Sequence, residues 1–234
     1  MNEKTHYTVD PEGKWLYRVG GMAAIAFGIS YLIIIVLYVP VGLPTGVEDW
    51  LKSLAEQTTL WSAIIAFDVL TDFLLVPFAL SIYLALKGIN KSVMLTATAF
   101  VGLFIILDLP LTWMNIASLQ ALSSQYAVVA TDAQRQAIAT AAIYPSSIME
   151  SNLLGVYNSL TLGIGMLMTN LVMLRGIFNK ATAYVGVATG ILGIIGVAGS
   201  FFWSPMSNAI VLAALLHIVW ALLAGFQLYK LGRR

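Results

Sequence analysis

The sequence contains no cysteine and only two histidines among its 234 residues. Without cysteine the chain forms no disulfide, offers no thiolate nucleophile and supplies no sulfur ligand to zinc, haem or an iron–sulfur cluster. His6 falls in the polar N-terminal segment, which leaves His217 as the one histidine within an apolar stretch. A histidine-rich metal site or a bis-histidine haem within a membrane is therefore not expected.

Charged side chains are also scarce, at 10% of the residues, whereas an ordinary soluble domain carries about 25%. Hydrophobic residues make up 59% of the chain, and the mean hydropathy is +0.87. This composition indicates an integral membrane protein whose first partner is the lipid bilayer. The net charge of +1 predicts no nucleic-acid partner, and the chain has no glycine-rich phosphate-binding loop.

Six apolar stretches are each long enough to cross the hydrocarbon core, which takes about 20 helical residues. We expect these spans at residues 18–39, 60–87, 93–115, 148–175, 182–203 and 208–230. The predicted fold is all-α, a six-helix membrane bundle that forms one domain over residues 18–231 between tails at 1–17 and 232–234. Because the first stretch lacks a small-residue cleavage site, we expect a retained span rather than a signal peptide.

The distribution of Lys and Arg predicts the orientation of the bundle, because cytoplasmic flanks carry the excess of positive charge. Two cationic residues, Lys52 and Arg135, lie on one side of the predicted spans. The other side carries ten: Lys4, Lys14, Arg18, Lys87, Lys91, Arg175, Lys180, Lys230, Arg233 and Arg234. We therefore predict a prokaryotic cytoplasmic membrane with both termini in the cytoplasm.

The first of two longer loops on the predicted outer side has the pattern of a short amphipathic helix. Residues 45–57 include Glu48 and Asp49, and acidic side chains suit the start of a helix. At helical spacing the apolar side chains of this loop fall on one face: Trp50, Leu51 and Leu54. We expect the helix to lie on the outer surface.

The second longer loop, residues 117–147, is predicted to form an outer helical cap. Thr131 and Gln134 stand at the spacing of a capping box, which marks the start of a helix. An alanine-rich helix is expected from there to Tyr144, with Pro145 ending it. Together the two loops would cover the outer mouth of the bundle.

Ionisable side chains within the spans are costly, so each marks a candidate functional site. Asp68 and Asp72 are four residues apart and share one helical face, and Asn158 belongs to a polar stripe on the fourth span. From the helical rise, the ionisable groups lie within about 18 Å of the outer boundary: Asp68, Asp72, Asp108, Glu150 and His217. If these residues face inward, they enclose an acidic pocket reached from outside.

The spans provide no cation to balance these acids. Carboxylates crowded in a low dielectric cannot all stay ionised, so the pocket must hold protons or a cation. The favoured hypothesis is a binding or permeation site for a cation, a proton-coupled solute or a small amphiphile. Asp68, Asp72 and Asp108 would be its anionic groups, and Asn158 and His217 its neutral hydrogen-bonding groups. The sequence identifies no cofactor.

Structural roles remain open for several of these residues. Asp108 stands before Leu109-Pro110, where a polar side chain can satisfy backbone groups freed by the proline. Glu150 is also the nearest of the acids to the surface, where it can be a solvated residue at the start of a helix. His217 can equally be one half of a hydrogen bond between helices.

Two other functions stay open at this point. A membrane-embedded metal-dependent hydrolase would hold its metal with Asp68, Asp108 and His217. An accessory subunit of a membrane complex, or a homo-oligomer, would use the close-packing face of Gly186 and Gly190. Tight packing within one chain is the alternative use of these two glycines.

The layout resembles a prokaryotic family of six-span membrane proteins known as domain of unknown function 4386. The resemblance rests on Tyr17-Arg18-Val19-Gly20-Gly21 at the start of the first span, the amphipathic outer loop, the Asp68 and Asp72 pair, and Leu-Lys-Gly turns such as Leu86-Lys87-Gly88. It covers nearly the whole chain. The resemblance implies the six-span topology and carries over no activity.

Overall fold

The computed structural model describes residues 13–233, and 88% of these residues are helical. The helices are α1 (Lys14–Val41), α2 (Val47–Glu56), α3 (Thr58–Leu86), α4 (Lys91–Asp108), α5 (Met114–Tyr126), α6 (Asp132–Met149), α7 (Asn152–Gly155), α8 (Thr161–Met173), α9 (Lys180–Ser200) and α10 (Asn208–Arg233). No strand occurs among the described residues, so the all-α prediction is confirmed. Lys4, His6, Arg234 and most of the tail predicted at residues 1–17 lie outside them.

Six helical segments are long and apolar enough to span a membrane. They are Lys14–Val41, Thr58–Leu86, Lys91–Tyr126, Asn152–Met173, Lys180–Ser200 and Ser204–Arg233. Each overlaps one predicted span, so the predicted number of long apolar helices is confirmed. Their outer faces expose large apolar side chains such as Phe73, Leu95 and Phe226, which is the surface that hydrocarbon solvates.

The third span is longer than its prediction of residues 93–115. It continues from α4 through a π-helical turn, Leu109–Trp113, into α5 and ends at Tyr126, a length of about 54 Å. Pro110 does not break it, because the wider π turn accommodates a residue that cannot donate a backbone hydrogen bond. No glycine or proline interrupts residues 114–126, so the helix runs on past the predicted end.

The fourth span begins later than its prediction of residues 148–175. The α6 helix passes through Pro145 and ends at Met149, which corrects the expected end at Tyr144. Ser151 then caps a new helix, because its side chain accepts a hydrogen bond from the Leu153 amide at 3.1 Å. This helix comprises α7, a second π-helical turn at Val156–Leu160, and α8.

The α2, α5 and α6 helices pack together at one end of the bundle, and we call this group the cap. The predicted face of α2 is confirmed, because Trp50, Leu51 and Leu54 are all buried. They form a small core with Trp61, Ile64, Leu119 and Ala142. The start of α6 is also confirmed, since the Thr131 hydroxyl accepts a hydrogen bond from the Gln134 amide at 3.3 Å.

Glycines set the close approaches within the bundle. A Cβ atom at Gly21 of α1 would lie 2.6 Å from the Tyr229 backbone nitrogen of α10. On α9, Gly190 faces the α8 backbone, where a Cβ atom would lie 2.7 Å from the Leu167 nitrogen, and Gly186 faces the Asn170 side chain. The face of Gly186 and Gly190 that was considered for a partner is therefore covered by α8 of the same chain.

Candidate functional site

A cavity of about 250 Å³ lies among the spans. Its walls come from α1, α3, α4, α8, α9 and α10 and from both π-helical turns. Four of the predicted site residues line it: Asp68, Asp108, Asn158 and His217. These residues belong to four separate segments of the chain, and the fold brings them around one space.

Asp108 is the most strongly bonded of the three aspartates. Its Oδ1 accepts from the Thr112 hydroxyl and from the Asn158 amide nitrogen, each at 2.5 Å. Its Oδ2 accepts from the Trp113 indole nitrogen at 3.1 Å. Three donors around a carboxylate that is 5% exposed compensate for the water it has lost.

Asp72 lies beside this network and joins it through Trp113. The indole nitrogen of Trp113 that reaches Asp108 also lies 3.2 Å from Asp72 Oδ2. One N–H is thus shared between carboxylates on α3 and on α4. Asp72 is 2% exposed and does not appear among the residues that line the cavity.

Asp68 differs from both other aspartates, because its carboxylate accepts no hydrogen bond from the residues that the structure describes. It lines the cavity at 8% exposure, one turn from Asp72 on α3. The charges of Asp72 and Asp108 are near enough to act on it. None of the described residues that line the cavity is Lys or Arg.

Two of the residues that line the cavity each carry a buried polar atom that lacks a partner among residues 13–233. One is the Asn158 oxygen Oδ1, and the other is the His217 nitrogen Nε2. The His217 ring packs 5.0 Å from the Phe27 ring and 5.6 Å from the Trp220 ring, measured between centroids. Buried polar atoms are almost always bonded, so these two atoms are exceptions within the bundle.

Both π-helical turns contribute residues to the site. Trp113 ends the first turn and Asn158 is the central residue of the second. A π turn adds a residue to the helical repeat, so it changes which side chains face the bundle interior. The Asn158 nitrogen also donates to the Thr112 hydroxyl at 3.0 Å, which links the two turns directly.

Glu150 is not brought into the cavity. It is exposed between α6 and Ser151, and its Oε1 accepts a hydrogen bond from the Gly46 amide at 2.6 Å. This contact ties the linker between α1 and α2 to the end of α6. Among the predicted site residues Glu150 alone therefore serves the cap rather than the acidic cavity.

Trp113 is the site residue that sequence reasoning missed. A tryptophan near the end of a predicted span is typical of an aromatic anchor at the membrane interface. Its spacing of five residues from Asp108 is also out of phase for an α-helix, and the π turn brings the two side chains together. The Leu109-Pro110 step inside a span was the signal available for such a turn.

The set proposed for a metal-dependent hydrolase does not form a metal centre. Within residues 13–233, no three His, Cys, Asp or Glu side chains are close enough together to hold a metal ion. Asp68, Asp108 and His217 share a cavity, but they do not converge on one point within it.

Most of the cavity wall is apolar. It includes Phe104, Leu162, Met166 and Ile210, and the Tyr31 ring lies at its α1 side. Phe104 and Met166 also belong to the main core of the bundle. The site thus combines carboxylates with a hydrocarbon wall, which suits an amphiphilic ligand.

No family model, curated protein or solved structure matches the chain. The resemblance to domain of unknown function 4386 therefore stays a prediction from the sequence.

Proposed function

We propose that this multi-pass membrane protein binds or permeates a cation or a proton-coupled solute at the acidic cavity. The observation that carries the proposal is the Asp68 carboxylate, which faces the cavity without a donor or a cationic partner among the described residues. An unpaired charge in such a setting is costly, so a proton or a bound cation has to neutralise it. Exchange between the two is the simplest use of the site.

The cavity is proposed to open to the outer side of a prokaryotic cytoplasmic membrane. The distribution of cations supports this orientation, because in the predicted order of the spans ten Lys and Arg fall on one side and two on the other. Those two, Lys52 and Arg135, belong to the cap helices α2 and α6. With the cap outside, both termini are cytoplasmic.

The proposal is tested by cation binding and proton release on the purified protein in detergent. Chlorides of sodium, tetramethylammonium and 2-phenylethylammonium are added in weak buffer with a pH indicator, and the melting temperature is followed in parallel. At least one of the cations should release protons and raise the melting temperature. In Asp68→Asn the apparent affinity for that cation should fall about tenfold or more, because the anionic partner is lost.

A second variant and a surface control complete this test. Asp72→Asn is expected to fold normally and to lose proton or ligand uptake, because it removes the carboxylate next to Asp68. Glu48→Gln removes a carboxylate from the exposed face of α2 and should behave as the wild type. If no cation acts on the wild type, or Asp68→Asn responds as the wild type does, the proposal is wrong.

A further inference from the structure

A second cleft lies at the end of the bundle where α1 begins and α10 ends. Its volume is about 490 Å³, and the residues that line it are Arg18, Tyr229 and Arg233. We infer that this cleft binds the phosphate group of an anionic phospholipid. It shares no lining residue with the acidic cavity, so the inference is independent of the proposed function.

The Arg18 guanidinium is held in place by α10. Its Nε donates a hydrogen bond to the Gly232 carbonyl at 2.7 Å, and this carbonyl belongs to the last turn of α10. Glycine permits the contact, because a Cβ atom at Gly232 would lie 2.7 Å from Arg18 Cγ. The bond uses one of the five N–H donors of the side chain. The donors on its two terminal nitrogens have no partner among residues 13–233.

Arg233 brings a second guanidinium to the same cleft. Its Cζ lies 5.9 Å from the centroid of the Tyr229 ring, one turn earlier on α10, and the face of an aromatic ring attracts a cation at this range. In the part of the chain that the structure describes, neither Arg18 nor Arg233 forms an ion pair with Asp or Glu. The cleft therefore carries two positive charges without a carboxylate against them.

Two guanidinium groups at one cleft favour an anion that has several acceptor oxygens. A phosphate group meets this requirement, because the planar fork of arginine donors matches two phosphate oxygens at once. Both arginines are exposed, so a group much larger than water can reach them. A bound phosphate would also relieve the repulsion between the two cations.

The position of the cleft indicates that a lipid carries this phosphate. Arg18 lies about 6 Å from the start of the first apolar segment, Lys14–Val41. This segment has 28 residues, more than the roughly 20 that cross the hydrocarbon core, so its first turns reach the headgroup region. Arg233 is likewise the last residue of the segment Ser204–Arg233. Trp15 is exposed three residues before Arg18 and is typical of an aromatic anchor at this level.

Apolar side chains continue from the cleft along both helices. Met22 follows Arg18 by one turn on α1, Phe226 precedes Arg233 by two turns on α10, and both apolar side chains are exposed. Residues at these spacings share a helical face. A phospholipid held by its phosphate would therefore lay its acyl chains against α1 and α10. Such basic sites between helices at the membrane surface suit anionic headgroups.

Both arginines have a structural role that the test must separate from lipid binding. Cations stabilise the C-terminal end of a helix, and Arg18 and Arg233 both lie at the end of α10. That role predicts a change in stability and no preference among lipids. Lipid affinity and melting temperature are therefore measured separately.

The experiment titrates the purified protein in a nonionic detergent with dioleoylphosphatidylglycerol and with dioleoylphosphatidylcholine, and native mass spectrometry counts the bound lipid. The two lipids share their acyl chains and their phosphodiester, but only the first has a net negative charge. The wild type is expected to bind phosphatidylglycerol about tenfold or more tightly. Arg233→Gln leaves the bond between Arg18 and Gly232 in place. It should weaken phosphatidylglycerol binding about fivefold and leave phosphatidylcholine binding unchanged.

Arg175→Gln is the matched control, because it removes one exposed guanidinium from the turn after α8, and Arg175 does not line the cleft. It should bind both lipids as the wild type does, and all variants should melt as the wild type does without added lipid. Inorganic phosphate in excess should not displace phosphatidylglycerol, and displacement would overturn the assignment to a lipid. If the wild type does not prefer phosphatidylglycerol, or Arg233→Gln keeps the preference, the inference is wrong. The proposed function, which is tested at Asp68, would be unaffected.

Discussion

Three aspartates lie in one region of the bundle, and their surroundings give them different duties. Asp108 is held by three donors, Asp72 shares one donor with it, and Asp68 has none among the described residues. A carboxylate surrounded by donors is committed to holding the fold together. The carboxylate without donors is free to bind a proton or a ligand, which is why Asp68 carries the proposed function.

The substitutions Asp108→Asn and Asp68→Asn should separate the structural role of Asp108 from the binding role of Asp68. Asp108→Asn places an amide group among the Thr112, Trp113 and Asn158 donors, so the free energy of unfolding should fall by about 2 kcal/mol. Asp68→Asn loses no hydrogen bond, so it should leave the free energy of unfolding unchanged or raise it. Reversible unfolding in mixed micelles measures both. Equal losses in the two variants would show that Asp68 is also held by its neighbours.

At the scale of the element, the two π-helical turns decide what the site contains. Leu109–Trp113 and Val156–Leu160 each interrupt a span at the cavity, and Asn158 and Thr112 join them. In an unbroken α-helix, Trp113 would not share a face with Asp108, which stands five residues before it. The wider turn therefore assembles the indole and both carboxylates into one network.

Gly21 of α1 and Gly102 of α4 have opposite surroundings. At Gly21 an added methyl group would lie 2.6 Å from a backbone nitrogen of α10, whereas at Gly102 nothing lies within 4 Å. Gly21→Ala should lower the free energy of unfolding by about 2 kcal/mol, because α1 and α10 are forced apart. Gly102→Ala should raise it by about 0.5 kcal/mol through helix propensity.

The same micelle unfolding assay tests this pair of alanine substitutions. The comparison is internal, because both variants add one methyl group to a helix interior. A Gly21→Ala protein as stable as the wild type would contradict the close approach of α1 and α10. An equal loss at Gly102 would point instead to a general intolerance of alanine in these spans.

For the whole molecule, the orientation in the membrane is the prediction with the widest consequence, and the absence of cysteine makes it testable. Ser124 is exposed near the end of α5, within the cap. Ser92 is exposed in the first turn of α4, at the other end of the same long segment, Lys91–Tyr126. Ser124→Cys should react with a membrane-impermeant maleimide in intact cells. Ser92→Cys should react only after the membrane is permeabilised, and the reverse pattern would place the cap inside.

The parts of the fold that could be predicted are those fixed by local composition. Six apolar stretches require six long helices, because a backbone in hydrocarbon must satisfy its own hydrogen bonds. The face of α2 followed from the helical spacing of its apolar side chains, and the start of α6 followed from its capping residue. Pro145 misled the prediction, since it lies within α6 and does not end it.

The sequence by itself determined that the chain suits a hydrocarbon environment, that it forms six long apolar helices, and which of its residues are costly to bury. Only the tertiary structure decided that Asp68 is left without a donor, that Trp113 joins Asp72 to Asp108, and that Glu150 belongs to the cap. The physical reason is that the cost of burying a polar group is a property of that group. Its compensation depends on which partners the packing of distant helices brings within hydrogen-bond distance.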